Sequence, residues 1–247
     1  MKITKYKKRT NGKYSAYLDD GREFIFYEEV ILKYNLLLTK EINDLDEINN
    51  TNLEYDVYYV GLNSLRSRIK SSTELKRLLL KKEYPAELVD MTIEKLTKQG
   101  YLNDLQYTKS FIHYQITSTN HGPNRIRKEL NDKGISTNMI NDNLIEFDED
   151  IQKEKINKLI NVKLKGNNSR SGYALRNNIK NYLLSLGYDY SIIDSVLSNY
   201  SFKVDNSVVK KEYDKLKKKY SNKYSGDILE RKIKEKLYLK GMAYEEE

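Results

Sequence analysis

The sequence predicts a mostly α-helical protein: tandem three-helix repeats in an elongated, curved array, preceded by a small N-terminal β-meander and a short helix. Three observations carry this. The hydrophobic period changes from 2 to 3.6 near Asn52, and helix-ending signals then recur at steps of 51, 53 and 54 residues. The 247-residue chain also combines 38% hydrophobic with 32% charged residues and only 2 Pro, too polar a balance for one large core but suited to a solenoid that wets most of its surface.

The first segment alternates as strands do, over Lys2 to Lys8, Lys13 to Leu18 and Arg22 to Tyr27, with Tyr14, Ala16 and Leu18 on one face. Asn11-Gly12 and Asp20-Gly21 tolerate the positive φ of two-residue hairpin turns, which gives a three-stranded meander. A short helix is expected from Glu28 to about Tyr34. Domain limits are expected at 1–50 for this head, then 53–103, 104–147 and 148–200 for three complete repeats, with a partial fourth at 203–247.

Within each group the second helix marks the register. Leu75, Leu79 and Glu83 repeat as Ile126, Leu130 and Gly134, as Ile179, Leu183 and Gly187, and as Ile233, Leu237 and Gly241. Each anchor is followed by an apolar residue: Tyr84, Ile135, Tyr188 and Met242. A glycine here ends a helix in the left-handed conformation while the next apolar residue folds back on the last turn, so Glu83 marks a less favourable stop. Ser71-Ser72-Thr73-Glu74 has capping-box spacing, and Pro85 and Pro123 fall where helices begin. First helices carry apolar stripes at Tyr55, Tyr59, Leu62; Tyr107, Phe111, Tyr114; Ile156, Leu159, Ile160; and Val209, Tyr213, Leu216. Third helices do so over Leu88 to Leu96, Met139 to Leu144 and Ile192 to Leu197. In the last group, either the chain continues or the acidic run Glu245-Glu246-Glu247 closes the array.

With no Cys there is no disulfide framework, zinc-thiolate site or thiol nucleophile. No apolar run approaches signal-peptide or membrane-span length, and a soluble cytoplasmic protein is expected. Neither G-x-x-x-x-G-K-[ST] nor G-x-G-x-x-G occurs. The two histidines, His113 and His121, lack metal-ligand spacing, so structural or solvated roles are expected, with no catalytic residue, metal or cofactor. The net charge of +8 is uneven: residues 201 to 247 carry 13 basic and 9 acidic side chains, against 9 and 9 in residues 1 to 50.

Three stretches together resemble the RecX family signature. They are Lys70-Ser71-Ser72-Thr73-Glu74-Leu75; Gly100-Tyr101-Leu102-Asn103-Asp104 with Tyr107; and Gly122-Pro123-Asn124-Arg125-Ile126 followed by Leu130 and Lys133-Gly134-Ile135. The match is strongest over residues 53 to 147, and the head and later repeats resemble the longer RecX proteins. Departures are Asn103 for Asp, Thr108 for a small Ala, and Glu83 for the repeat glycine. The resemblance implies a non-enzymatic regulator that lodges in the helical groove of a RecA filament on single-stranded DNA. There it would inhibit ATP turnover, strand exchange and recombination.

Candidate contact residues lie on repeated helix faces. Lys128 stands opposite the Ile126/Leu130 stripe with Arg125 and Arg127 on its flanks; Lys76, Arg77 and Lys81 take the equivalent face in the first repeat, Arg176 and Lys180 partly so in the third. The densest basic stretch holds Lys210, Lys211, Lys215 and Lys218, which suits phosphate contact but also the wet face of a helix packed through Val209, Tyr213, Leu216 and Tyr220. Most of the 22 Tyr recur at core spacing and are read as packing. Expected partners are the RecA filament, single-stranded DNA weakly or through RecA, and duplex DNA if the helices act without RecA. A monomer is expected, with no membrane contact. A purely protein-binding scaffold is the third reading.

Overall fold

The structure is a computed structural model that describes residues 1–165, 172–202, 206–240 and 242. The chain forms two compact units, Met1–Tyr107 with Lys133–Ile135, and Thr108–Asp132 with Ser136–Glu247.

The first unit opens with β1 (Ile3–Lys8), β2 (Lys13–Leu18) and β3 (Glu23–Tyr27), an antiparallel sheet in the order β1-β2-β3. Asn11 and Gly12 both take positive φ, 58° and 69°, as the pairing of these residues predicts. The second hairpin departs from expectation. Only Gly21 is left-handed, and three residues link Leu18 to Arg22, with Gly21 N donating to the Leu18 carbonyl at 3.2 Å. One left-handed residue after an ordinary turn preserves strand twist at the cost of one added residue.

Helix α1 (Glu28–Lys33) follows as expected, then α2 (Leu36–Thr39), a single turn too short for periodicity to reveal. Helix α3 (Leu45–Ser67) starts well before the change of period at Asn52 and is continuous through residues 50–53. Two facts about α3 explain this. Its start is fixed by Asp44, whose carboxylate accepts Glu47 N at 2.9 Å, and it is covered on two sides. Tyr55 and Tyr59 pack against the head core of Phe26, Val30, Leu36 and Ile48, while Val57 and Leu62 belong to the core shared with α4 (Ser72–Lys81) and α5 (Ala86–Lys98). A helix buried on opposite sides has no single apolar stripe from which to read its start. Asp56 sits between these layers, accepting from Tyr84 OH at 2.6 Å, Tyr27 OH at 2.7 Å and Lys13 Nζ at 2.9 Å.

Helix α6 (Asp104–Ser118) spans the division between the units. In the second unit come α7 (Pro123–Asp132), α8 (Thr137–Leu144), α9 (Glu149–Lys165), α10 (Gly172–Ser185), α11 (Tyr190–Leu197), α12 (Asn206–Tyr220) and α13 (Gly226–Leu239). The stripe expected on α6 is shifted: Tyr114 is 58% exposed, and the buried positions are Tyr107, Thr108, Ile112 and Gln115. A purely apolar reading passes over Gln115, which is buried because its amide donates to Glu129 at 3.0 Å.

Three of the four anchors share one conformation. Glu83, Gly134 and Gly187 take φ of 65°, 78° and 92°, each just after the second helix of its group. The fourth, Gly241, lies outside the described residues, as do Glu245, Glu246 and Glu247. Met242 N nevertheless donates to the Leu237 carbonyl at 2.9 Å, the bond that Tyr188 N makes to Leu183, which is the closure of a Schellman turn.

Space separates the glycines from Glu83. A Cβ on Gly187 would come within 2.6 Å of Arg125 N, and one on Gly134 within 2.0 Å of Thr73 Oγ1. Each glycine turn is therefore pressed against the start of the preceding group's second helix. Gly122 N donates to the Leu186 carbonyl at 2.7 Å and Asn124 N to the Gly187 carbonyl at 3.0 Å; Ser71 Oγ donates to the Lys133 carbonyl at 2.7 Å. The last carbonyls of one helix thus satisfy the orphan donors of another. Glu83 follows the first such helix and is exposed, so its side chain meets no such limit. Its cost is the left-handed backbone alone. Glu83→Gly is expected to stabilise the first unit by about 1 kcal/mol, seen as a raised urea midpoint with unchanged slope.

Candidate docking surface

The candidate surface is built on the second helices, whose starts are fixed by the residues that carry the sequence signature. Ser71 and Glu74 form the predicted capping box: Glu74 N donates to Ser71 Oγ at 3.1 Å and Ser71 N to the Glu74 carboxylate at 3.2 Å. Asp104, in the Gly-Tyr-Leu-Asn-Asp corner, accepts Ser72 N at 2.8 Å, and Asn103 caps its own helix by accepting Gln106 N at 2.9 Å. Lys133 Nζ lies 2.9 Å from Glu74. Burial opposes ionisation of Glu74, but the bonds from Lys133 and Ser71 outweigh it and hold the carboxyl below its usual range. These signature residues are joints between helices.

The cations at issue divide by what surrounds them. Lys76 pairs with Asp90, Arg176 with Asp194 at 2.7 Å, and Arg125 with Glu129 at 3.1 Å. Arg127 donates to Asn124 at 2.7 Å, and Lys180 Nζ stands 4.1 Å from the centre of the Tyr190 ring. Arg77 is exposed but engaged. Lys81 and Lys128 are exposed, as are Lys210, Lys211, Lys215 and Lys218 on α12, opposite the buried Val209, Tyr213 and Leu216. The structure brings Arg125, Arg127 and Lys128 onto one short helix, and Lys128 is exposed with no ion pair among the described residues.

Sequence reasoning missed Lys155. Its ammonium donates to the carbonyls of Ile116 and Thr119, capping the end of α6, and burial pushes its pKa down. Both histidines face one carboxylate each, His113 toward Glu146 and His121 toward Glu129, at 3.4 Å. No group of three or more His, Cys, Asp or Glu able to hold a metal occurs among the described residues. Among them, no helix is long and apolar enough to cross a membrane. A depression of about 490 Å³ on the first unit is lined by Tyr55, Tyr58, Met91 and Lys95. Lys95 Nζ already lies over it, 4.3 Å from the Tyr58 ring and 5.6 Å from Tyr55.

Joined three-helix groups with charged, repeated helix faces define a helical-repeat protein. The comparisons give that class a family. Residues 103–144 match the model of the second three-helix domain of RecX. The regulatory protein RecX of Oceanobacillus iheyensis is 29% identical over 99% of this chain and 93% of its own length; that of Bacillus cytotoxicus is 27% identical over 97% and 92%. A crystal structure of a regulatory protein RecX superposes with a TM-score of 0.66 at 24% identity, over 80% of this chain and 99% of that one. The RecX of Lactobacillus salivarius gives 0.57 at 26%, over 60% and 96%. Over nearly its whole length the chain is thus similar to regulatory proteins of the RecX family, and its residues 103–144 match the model of one RecX domain.

Proposed function

We propose that this protein binds RecA nucleoprotein filaments in their helical groove and slows RecA's ATP turnover, strand exchange and recombinational repair, with no reaction of its own. It acts as a cytoplasmic monomer whose working units are the repeats 53–103, 104–147, 148–200 and 203–247 behind the head 1–50. The observation that supports this most is the repeated helix joint: the residues that carry the family signature hold the ends of second helices, and cations recur on those helices along the sequence. Helix groups that recur along the chain suit a filament built of recurring protomers.

The direct test is RecA ATPase on single-stranded DNA with added protein. The rate is expected to fall and saturate; an unchanged rate at saturating protein removes the proposal. Reversing charge at Arg125, Arg127 and Lys128 together is expected to weaken filament binding at least tenfold, equivalent to about 1.4 kcal/mol, with helical circular dichroism intact. Because Arg125 also pairs with Glu129, the single variant Lys128→Glu separates surface from fold. Full binding by both variants would place the contact elsewhere.

A second reading is a DNA-binding helical module acting without RecA, favoured by the exposed lysines of α12. It predicts binding to bare DNA as tight as to filaments, and steep salt dependence.

A further inference from the structure

The two edges of the head sheet differ in what covers them. At β3 the side chain of Asn52 closes the edge: its amide donates to the Ile25 carbonyl at 2.9 Å and its oxygen accepts Tyr27 N at 2.9 Å. At β1 the chain covers only the beginning. Residues 40–42 run antiparallel there, with Lys2 opposite Glu41, Ile3 N donating to the Lys40 carbonyl at 2.7 Å and Ile42 N to the Met1 carbonyl at 2.9 Å. The Glu41 carboxylate stands 3.4 Å from Lys2 Nζ. The protein already seats one short acidic segment on this edge.

Past the register shift between Ile3 and Lys5 the edge is open. Arg9 N donates to the Lys13 carbonyl at 2.8 Å, and antiparallel pairs alternate between bonded and non-bonded, so Lys7 and Lys5 bond inward to β2. The N–H and C=O groups of Tyr6 and Lys8 therefore point outward, and no bond to them forms from outside the sheet among the described residues. Lys5, Lys7 and Lys8 are exposed, and none forms an ion pair among the described residues. Residues 2–13 hold six Lys or Arg and no Asp or Glu.

We propose that the open edge of β1, from Lys5 to Arg9, binds an extended acidic segment of a partner protein as a further strand. The main chain of Tyr6 and Lys8 supplies the hydrogen bonds. Carboxylates at every second position of the incoming strand stand beside Lys5 and Lys7 as Glu41 stands beside Lys2. Lysines on an edge strand repel a second copy of the same edge, so the charge that prevents self-pairing also selects an acidic partner. A nucleic-acid backbone fits less well, since phosphate oxygens can accept the two N–H groups but leave the two carbonyls facing further acceptors. The site does not depend on the filament reading above.

The test is fluorescence anisotropy of a labelled peptide of alternating Glu and Val with the full chain, joined to amide hydrogen exchange. Saturable binding is expected, with slowed exchange at the Tyr6 and Lys8 amides. Lys5→Glu and Lys7→Glu combined are expected to weaken binding at least tenfold with unchanged circular dichroism. The same peptide N-methylated at alternate residues keeps its charge and is expected to lose binding, which leaves the protein's own fold untouched. Absence of saturable binding, equal affinity for the N-methylated peptide, or unchanged exchange at those two amides would each overturn the site. Protection of the amides by mixed-sequence DNA and not by the peptide would also overturn it, assigning the edge to nucleic acid.

Discussion

Gly187→Ala is expected to destabilise the second unit by about 3 kcal/mol, measured as a lowered urea midpoint followed by circular dichroism. Two effects add. An alanine at φ 92° leaves its preferred backbone regions, at about 1 kcal/mol, and its Cβ lies 2.6 Å from Arg125 N and 2.7 Å from Arg125 Cβ. Those atoms belong to the helix start, which cannot swing aside as a side-chain tip can, so overpacking contributes roughly 2 kcal/mol more. Gly134→Ala meets Thr73 Oγ1 at 2.0 Å and Thr73 Cβ at 2.5 Å, the latter equally fixed by its helix start, and is expected to cost the first unit about as much. If both substitutions left the midpoint where it was, the glycine joints would not be structural.

Asp56→Ala is expected to cost the first unit about 3 kcal/mol, because it strands two half-buried tyrosine hydroxyls and one ammonium that now converge on one carboxylate. Burial by itself would raise the pKa of Asp56, but bonds from Tyr84, Lys13 and Tyr27 outweigh it and leave the group below the usual carboxylate range. A folded-state pKa below the unfolded one contributes stability that is full above the unfolded value near 4 and is lost as pH falls through the folded one. Stability measured from neutral pH down through that range should decline for the wild type. In Asp56→Ala the decline should be shallower, leaving Glu74, shifted in the same direction, as a remaining contributor. An equal slope in both would show that Asp56 carries none of it.

The repeat register was legible because helix ends are local. A left-handed turn, a capping box and an apolar period are each written within a few residues of one another, and Glu83, Gly134 and Gly187 take the same backbone conformation in spite of Glu83's side chain. What could not be read was anything made by residues distant in sequence. Asp56 draws partners from positions 13, 27 and 84, and α3 hides its start by packing on both sides. The candidate cations suffered most. Within its own helix Lys76 or Arg176 reads as a free charge, yet Asp90 and Asp194 on the following helices neutralise them, so the exposed part of that surface narrows. Glu129 does the same to Arg125 from within α7 and also faces His121.

The glycine joint also has a direction. In the two joints described, at Gly134 and Gly187, the narrow half lies at the tail of the later helix and the receiving half at the head of the earlier one, so the two ends are not interchangeable. At the front, Glu83 carries a side chain where later copies tolerate none, which disqualifies that tail from seating on any such head. At the back, the head of α13 has open space around Gly226. Each joint described can therefore be made only one way round, with the later group's tail seated on the earlier group's head.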